Sequence, residues 1–340
     1  MTDVIELTRR LVEIESPTFA EGPAVEFMHR LLQEAGYHVT RQPVSEGRDN
    51  IYACREPPVV VLSTHLDCVP PYVPWRDDGD TIHGRGVCDA KGLAAAMFVA
   101  AERLAAQGER RVGLLFVVGE ERGSDGARAA RTLTPKGKYF VNGEPTEGML
   151  CVAQKGALGV RIESRGIPAH SAYPEEGASA IVPLLETLRR IRRMPLPFDP
   201  VLGPATLNVG VISGGNAPNV IPEYAQAEVL IRTVGPTERL RKQILATAEA
   251  GVTVTFPGEL PHYLGEGLDG WETTVVRYAS DLPVHDTWGR RFQLGPGTIR
   301  VAHTLDERIG KRELEDGVES YVRLARTLLG LPLDTSAGGP

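Results

Sequence analysis

Short apolar runs alternate with longer amphipathic segments over the first half of the chain. Three runs are rich in Val, Leu and Phe and lack polar alternation: residues 57–62, 112–118 and 139–141. Such runs are typical of strands that are buried on both faces of a sheet. Three segments place apolar side chains at helical spacing: residues 3–15, 22–36 and 91–107. We therefore expect an α/β fold in which helices flank a mainly parallel sheet.

The pattern of apolar and polar positions changes after Gly156. The pattern then predicts, in order, a strand, a helix, two strands, a helix and a strand: residues 158–162, 178–193, 206–212, 220–231, 236–250 and 252–256. This β-α-β-β-α-β order is the ferredoxin-like arrangement. It is predicted to be an α+β insertion in an outer α/β domain. The expected boundaries are 1–154 for the first part of the outer domain, 155–258 for the insertion and 259–340 for the remainder.

After the insertion, the pattern returns to elements of the outer domain. A helix is predicted at 271–280, short strands at 292–294 and 299–302, and a closing helix at 313–329. The small polar residues of 334–340 predict a disordered tail.

Composition and charge exclude several classes of protein. Hydrophobic residues make up 42% and charged residues 24%, and the net charge of −7 comes without a basic run that would bind nucleic acid. No apolar run reaches membrane-spanning length, and the first six residues lack the basic start and apolar core of a secretory leader. The four cysteines form no CxxC pair, so reduced thiols and a cytoplasmic location are expected.

Chemistry-bearing residues follow the predicted buried strands. His65 and Asp67 come after the first run, Glu120 and Glu121 after the second, and Glu144 after the third. In open α/β sheets the functional crevice lies beyond the carboxyl ends of the strands. We therefore expect these side chains to converge in space, although they are far apart in the sequence.

The converging residue types suit a pair of divalent cations. Imidazole nitrogen with carboxylate oxygens favours Zn²⁺, Co²⁺ or Mn²⁺. Two such ions need about five protein ligands and one bridging group. The candidates number one more than that, so the surplus acid can act as general base: His65, Asp89, Glu120, Glu121, Glu144 and His303. Asp67, two residues from His65, is predicted to orient the imidazole.

Each candidate has an ordinary structural explanation when it is considered alone. A histidine at a strand end is commonly a surface or core residue, two adjacent glutamates are commonly a solvated loop, and an aspartate before a helix is commonly its cap. The placement of all of them after apolar runs favours a shared site. Cys68 and Cys88 flank predicted ligands, and we expect both to be small buried packing residues.

Four motifs resemble those of the M20 metallopeptidases, in the same order and with compatible spacing: His65-Leu-Asp67, Gly84-Arg-Gly-Val-Cys-Asp89-Ala-Lys91-Gly92, Gly119-Glu-Glu121 and Gly143-Glu-Pro-Thr146. The group includes acetylornithine deacetylase, succinyl-diaminopimelate desuccinylase, aminoacylase and carboxypeptidase G type enzymes. The resemblance implies a catalytic domain that binds two zinc (or cobalt) ions and an inserted lid domain through which two copies dimerise. Ala90 stands where the family often has Met, next to a ligand position but not at one.

Carried over residue by residue, the resemblance implies a role for each candidate. His65 and Glu144 would bind separate ions, Asp89 would bridge them, and Glu121 and His303 would complete the two coordination shells. Glu120 would be the general base, taking a proton from a hydroxide-forming water between the ions and later handing it to the leaving amine.

The same resemblance implies residues that contact the substrate. His170, in the predicted lid, would donate to the oxyanion from the partner subunit. Arg232 and Asn219 would hold the substrate carboxylate. The turn containing Gly297 and Thr298 would face the substrate, with backbone N–H groups able to bind an anion. A surface ion pair for Arg232 and a simple turn for Asn219 are equally compatible with the sequence.

Three functions therefore stand as hypotheses. The first is a deacylase acting on an N-acyl amino acid of the acetylornithine kind in amino-acid biosynthesis. The second is a dipeptidase or other exopeptidase on the same scaffold. The third is a binding protein that keeps the fold without metal, which would predict lost ligands, whereas every ligand type is present here.

Overall fold

A computed structural model describes residues 2–332, which form two units. The first unit comprises residues up to 152, residues 265–274 and residues from 280 onward; the second comprises residues 153–264 and 275–279. The sequence pattern places the insertion at 155–258. The predicted tail at 334–340 lies outside the described residues.

Seven α-helices are formed within residues 2–332. They are α1 (Val4–Val12), α2 (Gly22–Glu34), α3 (Lys91–Ala106), α4 (Asp125–Ala130), α5 (Ile181–Arg193), α6 (Glu238–Leu245) and α7 (Lys311–Leu329). Helix α1 begins at the cap Asp3, whose side chain accepts the N–H of Ile5 at 2.8 Å. No helix among the described residues is both long and apolar enough to cross a bilayer.

Most of the strands are short. In chain order they are β1 (His38–Ser45), β2 (Arg48–Cys54), β3 (Val60–His65), β4 (Arg76–Asp77), β5 (Thr81–His83), β6 (Val112–Val117), β7 (Tyr139–Asn142), β8 (Leu150–Gln154), β9 (Gly156–Arg165), β10 (Phe198–Asp199), β11 (Gly203–Pro204), β12 (Thr206–Gly214), β13 (Tyr224–Thr233), β14 (Val252–Thr255), β15 (Glu259–Leu260), β16 (Tyr263–Leu264), β17 (Thr273–Val276), β18 (Arg290–Gln293) and β19 (Arg308–Gly310).

The main sheet of the first unit is mixed, with a parallel centre. Its strands run in the order β1-β2-β6-β3-β7-β18-β8. Strands β6, β3, β7 and β18 are parallel neighbours, whereas β1, β2 and β8 are antiparallel to theirs. Strands β3 and β6 are buried along their whole length, as their unbroken apolar runs predict. The carboxyl ends of the parallel strands therefore meet at one edge.

The second unit is built on an antiparallel sheet in the order β12-β13-β9-β14. Helices α5 and α6 bury one apolar stripe each in its core, through Leu184, Leu188 and Ile191 of α5 and Leu240 and Ile244 of α6. The chain order is β9-α5-β12-β13-α6-β14, so the ferredoxin-like prediction is confirmed.

Several local predictions were wrong. The predicted helix at 271–280 is instead strand β17, because its Thr-Thr-Val-Val run is β-branched and suits a pleated strand. The predicted strand at 299–302 is a turn that leads to His303. The strand predicted at 220–231 begins later, at Tyr224, and the helix predicted at 236–250 ends at Leu245. No disulfide joins the four cysteines, all of which lie within the described residues. Cys68 and Cys88 are buried, as expected.

Candidate metal centre

Three strand ends bring most of the predicted ligands together. His65 is the last residue of β3, the turn with Glu120 and Glu121 follows β6, and Glu144 lies two residues after β7. The strands are in register here, because His65 pairs with Val117 across the β3–β6 ladder. Asp89 comes from the irregular segment before α3, whose first residue is Lys91. The expected convergence is therefore present in the fold.

The ligand atoms fall into two groups that share Asp89. The first, here called the His65 group, consists of His65, Asp89 and Glu144; the second, the His303 group, consists of Asp89, Glu121 and His303. Within each group, one ligand atom per residue lies within 4.8 Å of the others. His65 Nε2 is 3.1 Å from Asp89 Oδ1, and His303 Nε2 is 3.4 Å from Asp89 Oδ2. The two oxygens of one carboxylate thus face different histidines.

His65 is held in the tautomer that a ligand requires. Its Nδ1 lies 2.9 Å from the backbone carbonyl of Asp67 and 3.4 Å from that residue's carboxylate. Both acceptors belong to Asp67, the residue predicted to orient the imidazole, and the carbonyl is the nearer of the two. With Nδ1–H donating to this carbonyl, Nε2 is the nitrogen that would offer its lone pair to a cation, and it faces Asp89.

The carboxylate of Asp67 also holds the turn that carries the two glutamates. It accepts the backbone N–H of Glu120 and that of Glu121, each at 3.1 Å, and the hydroxyl of Thr18 at 2.8 Å. Although burial alone would raise it, the pKa of Asp67 is lowered because His65 and these donors favour the charged form. Asp67 therefore fixes the backbone of Glu120 and Glu121.

Glycine at position 119 permits the same turn. Its φ is +75°, and a Cβ there would lie 2.0 Å from Asp125 Oδ1. Asp125 cannot easily withdraw, because it pairs with the buried Arg48, whose guanidinium is also held by Glu21 at 2.9 Å. A small residue in left-handed backbone is thus required directly before Glu120.

Negative charge is concentrated in this site. Burial raises the pKa of Glu144 and Glu120 well above the usual range, and neighbouring carboxylates add to the effect. Burial also raises the pKa of Glu121. Hydrogen bonds to Asp89 and Glu121 raise the pKa of His303 to about 10. Burial opposes charge on Asp89, but contacts with His303 and His65 hold its pKa below the usual value. A cation would relieve this crowding of buried carboxylates.

Two relatives decide the family of this chain. A peptidase M20 domain-containing protein of Schizosaccharomyces pombe is 37% identical over 336 residues, which cover 95% of this chain and 84% of the relative. A "probable carboxypeptidase" of Aspergillus fumigatus is 36% identical, with 96% of this chain and 87% of the relative covered. This chain belongs to the M20 peptidase family. It is accordingly a hydrolase of the metallopeptidase type.

Family models and solved structures give the same assignment for the fold. A model described as a peptidase dimerisation domain matches residues 152–253, and one described as peptidase family M28 matches residues 50–146. A tripeptidase of Staphylococcus aureus superposes with a TM-score of 0.79 at 21% identity, covering 96% of this chain and 98% of that one. A Bacillus subtilis dinuclear metal binding peptidase of the M20 family gives 0.69 at 17%, covering 97% and 98%.

The donor set of this M20 chain fits two cations. Each group combines one imidazole with carboxylates, and the shared residue offers one oxygen to each side. Glu120 belongs to neither group, which leaves it available for proton transfer. The nitrogen and oxygen donors match the preferences of Zn²⁺ and Co²⁺. The five residues predicted as ligands are the same five that the fold collects, but their predicted division is wrong. His65 and Glu144, expected on separate ions, fall in one group, and Glu121 and His303 fall together in the other.

His303 occupies a different environment from the other members. It lies in a turn with φ of +62°, and its side chain is 51% exposed, whereas those of Asp89 and Glu121 are 6% exposed. Its Nε2 is 2.9 Å from Glu121 Oε2. The strand predicted at 299–302, directly before this residue, is a turn, so no strand end positions His303.

Three further residues support the site and were not predicted. Thr18 holds Asp67, Glu307 holds the segment that carries Asp89, and Asp281 is a fully buried carboxylate whose charge is felt by Glu120 and Glu144. Burial raises the pKa of Asp281 to about 6. None of them follows a buried strand or stands in a motif, so the sequence gave no local sign of their roles.

The turn with Gly297 and Thr298 uses its polar groups internally. The N–H of Gly297 donates to Glu313 at 3.0 Å, and that of Gly295 donates to the hydroxyl of Thr146 at 3.0 Å. The hydroxyl of Thr298 donates to Glu147 at 2.9 Å. The amides of Gly295 and Gly297 therefore have no proton left for a substrate anion, contrary to the expected anion-binding turn.

The predicted residues of the second unit lie on exposed loops and on β13. His170 forms an isolated bridge with Val220, and Ser171 donates its N–H to the carbonyl of Asn219 at 3.0 Å, so His170 and Asn219 are neighbours. The backbone N–H of Ala172 donates to His170 Nδ1 at 3.1 Å. Arg232 is half-buried near the far end of β13, where it pairs with Ala157.

Proposed function

We propose that this M20 enzyme hydrolyses an amide bond whose leaving group is an α-amino acid, with short peptides as its preferred substrates and two Zn²⁺ ions as its cofactor. The observation that carries this proposal is the pair of donor groups joined by Asp89, with Glu120 left outside both. The carboxypeptidase name of a relative at 36% identity supports the choice of peptides.

Bound cations would lower the pKa of a water in the site and polarise the amide carbonyl. The protein's residues would do the rest. Glu120 would take the proton from that water and return it to the nitrogen of the departing amino acid. Burial, which a cation would leave in place, raises the pKa of Glu120, so its carboxylate is a stronger proton acceptor than an exposed one. Asp67 keeps the turn with Glu120 in place.

His170 is suited to donate to the oxyanion. Because its Nδ1 accepts the N–H of Ala172, the neutral imidazole must carry its own proton on Nε2. The side chain is exposed, so this Nε2–H is available to a substrate. A donor that is fixed in this tautomer before the reaction can stabilise negative charge as it develops on the carbonyl oxygen.

The strand register in the sheet of the second unit, which is the predicted lid, supports an active site shared by two copies. His170 and Asn219 lie near the start of β13, where Tyr224 pairs with Arg165, whereas Arg232 pairs with Ala157 eight residues further along. At about 3.3 Å per residue, these ends are roughly 26 Å apart. A short peptide cannot contact both ends of one such sheet at once. We therefore propose a homodimer in which the partner's His170 and the partner's Asn219 join Arg232 of the first copy.

A substrate panel tests this function. Purified protein loaded with Zn²⁺ or with Co²⁺ is incubated with dipeptides, tripeptides and their carboxy-terminally amidated forms. We expect hydrolysis of the free-acid peptides, at least about tenfold slower hydrolysis of the amides, and no turnover after chelation. Equal rates on free and amidated peptides, or full activity without metal, would contradict the proposal.

An N-acyl amino acid deacylase is the second candidate. The sequence from Asn142 to Thr146 favours it, since it resembles the deacylase branch of the family. Asn142 Nδ2 lies 3.5 Å from Glu144 Oε1, so this motif directly adjoins a ligand. N-acetyl-ornithine, N-acetyl-citrulline and N-succinyl-diaminopimelate belong in the same panel. A kcat/KM for one of them above that of every peptide would make the deacylase the better assignment.

A further inference from the structure

One buried carboxylate binds the backbone of the segment that carries Asp89. Glu307 is 1% exposed, and its Oε1 accepts the N–H groups of Gly86 at 2.9 Å, Cys88 at 3.1 Å and Asp89 at 3.0 Å. Three amides thus point to one oxygen atom. Charge-assisted hydrogen bonds of this kind are stronger than those between neutral groups.

The segment needs such an acceptor because no regular structure supplies one. Residues 84–90 form buried turns between β5 and α3. Backbone N–H groups buried without an acceptor are costly, so a partner must come from elsewhere in the chain. Glu307 also returns its own backbone carbonyl to the N–H of Gly84 at 3.1 Å. The second carboxylate oxygen pairs with Arg85 at 2.6 Å, which balances the charge.

Glu307 also stands four residues after His303. Its side chain therefore joins the turn that carries one predicted ligand to the segment that carries another. Asp89 is the residue common to the His65 group and the His303 group. A displacement of its backbone would change both groups at once.

We propose that Glu307 is a positioning residue of the metal centre, which fixes Asp89 between the two groups so that both can hold a cation. This inference rests on the proposed metal-dependent hydrolysis. Misplacement of reacting groups by about 1 Å can cost on the order of 10²-fold in rate. Loss of Glu307 is therefore expected to disturb the placement of the two cation positions more than it disturbs substrate binding.

Two variants of the full-length protein test the role. Glu307→Gln keeps the shape and an acceptor oxygen but loses the charge, and Glu307→Ala removes the acceptor. We expect kcat to fall about 3- to 10-fold for the Gln variant and about 50-fold or more for the Ala variant, with KM within about twofold. Titration with Co²⁺, followed by visible absorption, should show altered bands in both and weaker binding of the second equivalent in the Ala variant.

Glu102→Gln is the matched control. Glu102 pairs with Arg55 at 2.8 Å and accepts the hydroxyl of Tyr37 at 2.9 Å, so it is also a carboxylate in an arginine pair, but it contacts no ligand segment. Its variant should keep the wild-type kcat and Co²⁺ spectrum, even if its melting temperature falls.

Wild-type kcat and Co²⁺ spectra in folded Glu307 variants would overturn the inference. The inference would also be overturned if the loss of activity only matched the unfolded fraction of the protein, as measured by circular dichroism. If the Ala variant does not fold, kcat and the spectrum of the Gln variant decide. The Co²⁺ titration needs no substrate, so it remains decisive even if the panel shows that the proposed hydrolysis is wrong.

Discussion

The two units present their chemistry in opposite ways. In the first unit the candidate residues are mostly buried and contact one another: Asp89 lies against two histidines, and Asp67 holds the turn with both glutamates. In the second unit His170 and Asn219 are exposed on loops. The contacts recorded for the His170 side chain are the N–H of Ala172 and the ring of Tyr173.

This contrast separates the roles that the contacts within one chain define from the roles that they leave undefined. Buried, cross-linked donors need a compensating charge, so their geometry alone points to cations. Water satisfies the hydrogen-bonding groups of exposed loop residues, so these residues need no compensating charge. Their roles depend on a substrate or on a second copy. Experiments on the first unit should therefore test metal chemistry, and experiments on the second should test assembly.

The largest effect is expected from Glu120→Ala. Without the proton acceptor, kcat should fall by about 10³-fold or more, while the protein still binds two cations, because Glu120 belongs to neither donor group. Metal content by elemental analysis and steady-state kinetics check both halves. Arg122→Ala, an exposed neighbour on the same turn, is the control and should be nearly normal. Normal activity of Glu120→Ala would remove the assignment of Glu120 as general base.

The next largest effect concerns the second unit. His170→Ala should lower kcat by about 10²- to 10³-fold through loss of the oxyanion donor, without changing metal content. Mixing it with Glu120→Ala under conditions that exchange subunits should restore activity. After complete exchange of equal amounts, half of the dimers are mixed. If the partner's His170 completes each site, every mixed dimer has one intact site of two, so about a quarter of wild-type activity returns. No recovery after verified exchange would contradict a shared site.

The sequence was sufficient for the candidate ligands that follow parallel strands. His65, Glu121 and Glu144 converge because neighbouring parallel strands end at one edge, and this rule needs only the apolar runs and the residues after them. His170 follows no such run and was predicted from the family resemblance alone, and the strand predicted directly before His303 is a turn. For these two residues the missing information was the path of irregular turns, which hydrophobic periodicity does not describe.

The supporting residues and some element boundaries could not be predicted, for related reasons. Glu307 acts on backbone amides more than 200 positions earlier in the chain, and a hydrogen bond between irregular segments has no sequence period. The helix predicted at 271–280 failed because a short β-branched run is ambiguous without its neighbours. The turn with Gly297 was expected to bind an anion, but its amide is used by Glu313, a partner that only the fold reveals.

Protonation should govern cation binding in the first unit. His303 gains its proton from contact with Asp89 and Glu121, which raise its pKa from 6.5 to about 10. In the metal-free protein this contact stabilises the fold fully below pH 6.5, and the contribution is lost as pH rises through about 10. A cation must displace that proton. Its apparent affinity should therefore increase with pH, by up to about tenfold per unit between pH 6 and 8.

Calorimetry in buffers of different ionisation enthalpy measures this exchange. The wild type should release about one proton more, for a full complement of cations, than His303→Gln, which lacks the titrating ligand. Equal proton release by the wild type and by His303→Gln would show that the imidazole of His303 is not a ligand. The His65 group would then have to be considered alone.

The smallest effect is expected from substitutions at the two glycines that flank the turn carrying Glu120. Gly119 and Gly123 flank the same turn and both have positive φ, +75° and +103°, so alanine strains the backbone at either position by about 1–2 kcal/mol. They differ in space: a Cβ at 119 meets Asp125 and Arg48, whereas nothing lies within 4 Å of one at 123.

Gly119→Ala should therefore lower kcat about three- to tenfold beyond Gly123→Ala, because displacement of the Asp125 pair moves the turn that Asp67 holds. Thermal melts and kcat for the two variants, side by side, separate backbone strain from displacement. Equal kcat in both would mean that Glu120 is positioned by Asp67 alone, and that the Arg48 pair contributes to stability without acting on the site.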